Sequence, residues 1–522
     1  MARPRRPRSG RDRVRGGIAP SGRPTRAALP VTRQQYDVLI DSLSHRRSGR
    51  HVEQLTWRWH GPLDTDRFAA AWQSVTARET VLRSAFVWGP PPRLVVHDRA
   101  RIEVVRQTAG GADFARLLAE DRQRGFDLRR PGPLRVTLVD PPGQNTGPNT
   151  GQNTGPNISG RNTPGPPPSG TRVLLTFHHA LLDTGSVFVL LEEFCRAYLA
   201  DGVLPGGERR PDLRDWTRWL DGQDPAPPRE LWSGTVPAGE PALLPLLPGP
   251  DTRQTGCGRA EVRLNAGEAG RLHRWAAARA LPDSSALQAV WALLVYRAQR
   301  VPGSLPVGFG VTVSGRGIPL DGVERLVGPL RTSLPMVVVV DPEQPLRRLL
   351  AALRDRALDM AAYEWVAIGQ IHEWTGRAAS GGKLLESLVA VENGPRPPAG
   401  LRAELGAAGV RLEMEHADGA HPALPVALLA HRSADGSLRL TVVHDRARVS
   451  DRDARLLAAH CARLLRLLPV TAAGATAGEV LAALGSDAPP VIAPPRHSGR
   501  TVRLRPRPTG SKGSVDRTPS ES

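Results

Sequence analysis

Lysine is almost missing from this chain of 522 residues. Only Lys383 and Lys512 occur, so nearly all the positive charge is arginine. Cysteine is scarce as well. Cys195, Cys257 and Cys461 lie far apart, form no metal-spaced cluster, and read as buried thiols in a reducing compartment. No apolar run approaches the roughly 20 residues that cross a bilayer, which excludes a membrane-spanning helix. The N-terminus is basic but has no apolar h-region, which excludes a secretory signal and makes the cytoplasm the expected location. The chain has no His-Glu-x-x-His and no Gly-x-Ser-x-Gly elbow near its only histidine pair, so a zinc peptidase or serine hydrolase has little support.

The net charge of +19 points first to nucleic acid. Its distribution points away. Residues 1–28 hold nine Arg against one Asp, and residues 488–522 hold six Arg and one Lys against two acids, which leaves only +6 for the body. Both ends are rich in Arg, Pro, Ser and Gly and are expected to be disordered basic tails. Neither nucleic acid nor a membrane is therefore an expected partner.

Between the tails, strand and helix patterns alternate, which predicts a mixed α/β fold of two lobes, 29–205 and 206–487. Thr32 is a candidate cap for a helix running to Leu43, and residues 52–59 alternate as a strand. Residues 141–170 form an insertion in which QNTGPNTG is followed, at a period of eight, by QNTGPNIS. Two copies rich in Gly, Pro, Asn and Thr cannot pack a core, so a flexible surface loop is expected. Ordered sequence resumes at Thr171–Phe177, a short apolar run that reads as a buried strand.

That strand delivers His178 and His179, followed four residues later by Asp183. Neighbours on a strand point to opposite faces, so only one of the two rings can face an open site. Histidine is the side chain best suited to moving a proton near neutral pH. Asp183 stands before a turn and a helix start. A carboxylate there can cap the helix, orient an imidazole or pair with an arginine. Packing and metal ligation are the other readings of such a pair. The remaining histidines are scattered singly, so no metal is expected.

The spacing His178-His179-Ala180-Leu181-Leu182-Asp183 resembles the His-His-x-x-x-Asp-Gly signature of the condensation domains of nonribosomal peptide synthetases. Further segments resemble that family in order: 52–64 (VEQLTWRWHGPLD), 78–86 (RETVLRSAF), 125–134 (GFDLRRPGPL), 212–223 (DLRDWTRWLDGQ), 309–335 (FGVTVSGR through VGPLRTSLP) and 384–395 (LLESLVAVENGP). The resemblance implies two chloramphenicol-acetyltransferase-like lobes set as a V, with an active-site tunnel between them. It implies that an amine or hydroxyl acceptor attacks an acyl or aminoacyl thioester carried on the phosphopantetheine arm of a carrier protein, forming an amide or ester. The chain itself then binds no cofactor. His179 is implied as the active imidazole and His178 as support. Asp183 is implied as a buried structural carboxylate, with Arg316 of the Ser-Gly-Arg turn as its ion-pair partner.

The departures are specific. Thr184 stands where the family has Gly, with Gly185 one place later, so Thr184, Gly185 and Ser186 are candidate tunnel residues. Thr332-Ser333 replaces Asn-Thr, Gly394 replaces Tyr, and the His of an Arg-His-Glu motif is absent at Arg78-Glu79. Nothing after residue 480 resembles an adenylation or carrier domain, so a free-standing domain meeting carrier proteins in trans is expected. A small-molecule acyl acceptor is a further possible partner. The competing readings are a coenzyme-A-dependent acyltransferase and a non-catalytic module that recruits another enzyme.

Overall fold

Val52–His60 is the strand on which the first lobe is organised, buried along almost its whole length. It pairs antiparallel with Thr171–His178, placing Val52 opposite His178 and Trp59 opposite Thr171. Leu134–Asp140 and Glu103–Thr108 extend the sheet on one side, and Arg411–Asp418 completes the other edge. The computed structural model describes residues 28–485, apart from 46, 109–113, 142–169, 208, 238, 245–255, 378–382, 393–397, 419–423 and 434. The two tails and the 141–170 insertion lie outside the described residues, save residues 28, 141 and 170; Gly394 lies outside them too.

Two helices cover this sheet, and each begins at an aspartate that caps it. Asp64 accepts backbone N–H bonds at the start of Thr65–Arg78, and Asp183 does so for Thr184–Leu199. Their apolar stripes meet: Phe68 and Trp72 lie 4.6 and 4.8 Å from Phe194 between ring centroids. The expected helix at the N-terminus is Arg33–Ser44, closed by a capping box between Thr32 and Gln35.

The second lobe has a six-stranded sheet in the order Thr332–Val340, Leu305–Val313, Ser387–Glu392, Val426–Arg432, Leu438–Asp445, Cys257–Leu264. Helix Asp283–Gln299 is buried on all sides from Ser285 to Tyr296, as its largely apolar sequence requires. Helices Leu346–Ala361 and Asp451–Leu467 pack against it.

The lobes do not divide at residue 205. Helix Ala399–Ala407 and strand Arg411–Asp418, both within the expected second lobe of 206–487, join the first. So do Leu213, Trp216 and buried residues between Ile318 and Leu330. The cause is the sheet edge. Without Arg411–Asp418, Val52–His60 presents a row of unpaired backbone groups on that side.

Candidate active site

The two histidines sit at the end of a strand held on both sides. The His178 N–H donates to the Pro133 carbonyl (3.0 Å), and the His179 N–H donates to the His51 carbonyl (2.8 Å). The rings then diverge. His178 is buried beneath the first helix. The Ala180 N–H donates to its Nδ1 (3.1 Å), so its hydrogen is on Nε2, which donates to Ser42 Oγ (3.2 Å). Burial pushes the His178 imidazole down to about 3, with the nearby charges of His51 and His179 adding to the effect. It is a neutral structural group.

His179 lines a cavity of about 590 Å³ formed by both lobes. Its Nδ1 lies 3.2 Å from the Leu182 carbonyl and 3.4 Å from Glu53 Oε1. Both partners accept, so Nδ1 carries the hydrogen and Nε2 keeps its lone pair. That is the tautomer of a general base.

Asp183 is fully buried, and both its oxygens are saturated. Oδ1 accepts from the Ser186 N–H (2.6 Å) and Arg316 Nη2 (3.0 Å). Oδ2 accepts from Arg316 Nη1 (3.0 Å) and from the N–H groups of Leu330 (3.0 Å) and Arg331 (2.8 Å). Burial alone raises a carboxyl, but the Arg316 charge and these donors outweigh it and hold Asp183 below the usual carboxylate range. The turn that brings Arg316 here depends on Gly315, whose φ is +68°. A Cβ at that position falls 2.0 Å from the Leu330 carbonyl oxygen.

Of the three candidate tunnel residues, only Thr184 lines the cavity. Gly185 faces the Arg316 guanidinium, which a Cβ meets at 2.8 Å. Ser186 is buried; its Oγ donates to the Gly328 carbonyl (2.6 Å) and accepts from the Gly328 N–H (2.9 Å). Successive residues of a helix turn by roughly 100°, so three in a row cannot share one face.

Residues given no role by the sequence complete the wall. Glu53 accepts from Thr184 Oγ1 (3.1 Å). Arg331 donates to Thr184 Oγ1 (3.3 Å) and to Glu392 (2.9 Å). Burial depresses the Arg331 guanidinium, but the charges of Glu392 and Glu53 prevail and raise it. A chain of ionic and hydroxyl contacts thus runs from the first lobe to the second beside His179. The one sequence signal for Glu53 is a carboxylate at the start of a strand that carries Leu55, Trp57 and Trp59. Away from this polar wall, Leu385, Leu388, Leu429 and Val443 make an apolar end. Among the described residues, no group of three or more His, Cys, Asp or Glu is placed to hold a metal ion, and no helix is long and apolar enough to cross a membrane.

Two mixed α/β lobes around an inter-lobe cavity, with an imidazole at a strand end and a buried Asp–Arg pair beneath it, define the chloramphenicol-acetyltransferase-like class. Within it, the Condensation domain family model matches residues 168–408, and the chain is similar to condensation-domain proteins of nonribosomal peptide synthesis. A linear gramicidin synthase protein of Brevibacillus parabrevis is 28% identical over 382 residues, which is 70% of this chain and 4% of that protein. Chondramide synthase cmdD of Chondromyces crocatus is 27% identical over 358 residues, 66% of this chain and 8% of that protein. The chain thus spans a small fraction of these relatives. The first condensation domain of the calcium-dependent antibiotic synthetase shares the fold, with a TM-score of 0.66 and 18% identity over 87% of this chain and 99% of that one. The X-domain from teicoplanin biosynthesis does so at 0.65, with 21% identity over 88% and 98%.

Proposed function

We propose that this chain transfers an acyl or aminoacyl group from a thioester on a carrier protein's phosphopantetheine arm to an amine or hydroxyl acceptor. Condensation domains generally form amide bonds and work with carrier proteins. The observation that carries the reading is His179, on the cavity wall with Nδ1 engaged and Nε2 left as a proton acceptor. Thioester aminolysis asks for little more: a nitrogen relieved of its proton, and two reactants held end to end in a closed space. The cavity has walls from both lobes, which suits tethered donor and acceptor arms. His178, Asp183 and Arg316 position the strand end and the loop around it. Thr184 is the member of the Thr184–Ser186 trio that meets substrate.

Single-turnover assays with loaded donor and acceptor carrier proteins test this. The wild type is expected to form the amide, and His179→Ala to form it about 100-fold more slowly with unchanged folding. Equal rates for the two proteins remove the catalytic role.

One observation favours a second reading, a non-catalytic module that recruits a partner enzyme. Thr184 links Glu53 to Arg331 beside His179, at a position where a smaller residue leaves more room. No amide from the wild type with any loaded pair selects that reading.

A further inference from the structure

The cavity holds a second imidazole–carboxylate pair to which acyl transfer by His179 gives no part. His51 precedes strand Val52–His60 with a left-handed backbone, φ +60°. That conformation costs a non-glycine residue about 1–2 kcal/mol. Its Nε2 lies 2.7 Å from Asp41 Oδ2, and its carbonyl accepts the His179 N–H. Burial pushes the Asp41 carboxyl up, but His51, Arg50 and His45 outweigh it and hold it low. An ionised Asp41 can only accept, so His51 carries its hydrogen on Nε2 and offers the Nδ1 lone pair. The rings of His51 and His179 are parallel within 5°, with centroids 6.5 Å apart, and both line the cavity.

The proton balance of amide formation calls for two acceptors. A primary amine near neutral pH arrives as an ammonium ion. Its nitrogen sheds one proton before attack, when the C–N bond forms. It sheds a second as the C–S bond breaks and the electron pair leaves on sulfur. Sulfur takes one of these protons. The other has to leave the site.

We infer that the His51–Asp41 pair is this second acceptor, taking the ammonium proton directly or through one water, while His179 carries the other from nitrogen to sulfur. This rests on the acyl-transfer reading. The pair has a way out, because the Asp41 side chain is 27% exposed. The charged and titratable groups around His51 come from several elements. Asp37, Asp41 and His45 belong to the first helix and its end, and Arg50 to the loop that follows. Glu53 lies on its own strand, His178 and His179 on the next, and Arg122 packs against Gly49. With so many ionisable groups close to His51, one pH profile is ambiguous and a comparison of acceptors is not.

The test uses the full chain, an acyl-pantetheine thioester donor and two acceptors. One is a primary alkylamine, protonated at pH 7. The other is an O-alkyl hydroxylamine, neutral at pH 7. His51→Asn keeps the backbone carbonyl, and asparagine tolerates the left-handed region. With the alkylamine its kcat/KM is expected to fall about 100-fold near pH 7 and to recover as the pH is raised. With the hydroxylamine it keeps most of its rate. Asp41→Asn is expected to show the same split. Equal losses on both acceptors, or no loss on the alkylamine, overturn the inference while leaving acyl transfer standing. Absence of amide from the wild type with both acceptors overturns the two together.

Discussion

Asp183→Ala is expected to lower the stability of the fold by about 3–5 kcal/mol, a large part of the ~5–15 kcal/mol that holds a domain together. The loss comes from what is left behind. Arg316 keeps its charge in a partly buried place without the Asp183 carboxylate, and the N–H groups of Leu330 and Arg331 lose their acceptor. The helix Thr184–Leu199 also loses its cap, worth about 1 kcal/mol. Urea midpoints of Asp183→Ala, Arg316→Ala and the double variant measure this. The double variant should cost less than the sum of the singles, because it removes the uncompensated charge. A loss under about 1 kcal/mol for Asp183→Ala refutes the assignment of this pair as the tie that fixes residues 314–331 against the helix.

The fate of that loop shows what is legible in the sequence. Thr32, Asp64 and the apolar stripe from Val187 to Tyr198 are local signals, and each has its helix. The His178–Asp183 spacing is local too, and family resemblance matches the Ser-Gly-Arg turn to it; the structure brings Arg316 to Asp183. Other features depend on contacts hundreds of residues apart. Arg411–Asp418 joins the first sheet because Val52–His60 has a free edge, and nothing in its own residues names that partner. Glu53 and Arg331 meet Thr184 from different lobes. His51 and Asp41 are ten residues apart, yet their pairing depends on a left-handed turn that a histidine does not announce. Adjacency to Thr184 suggests Gly185 and Ser186 for the tunnel, but helical rotation turns them away from it.

The fold is also expected to weaken steadily in mild acid because of His178. Its imidazole is held near pKa 3 in the folded chain, against about 6.5 when unfolded. Between these values the unfolded chain binds a proton that the folded chain refuses. Stability is therefore full above about pH 6.5 and is lost as the pH falls towards 3, by up to about 1.4 kcal/mol per pH unit. From pH 7 to pH 5 this amounts to about 2 kcal/mol. Asp183 acts in the same direction but later: its pKa is depressed, so its contribution is present above the unfolded value of about 3.9 and fades as the pH drops through the folded one. Asp183 thus adds little between pH 7 and 5. His178→Asn retains an acceptor for the Ala180 N–H and a donor for Ser42, but cannot titrate. Its urea midpoints should fall less steeply with acid than those of the wild type, so that about 2 kcal/mol is gained relative to wild type between pH 7 and 5. Contributions from the other histidines are common to both proteins and cancel in the difference. Parallel curves mean that His178 accepts a proton inside the fold, and a ring able to do so is no longer the inert support that leaves acid–base work to His179.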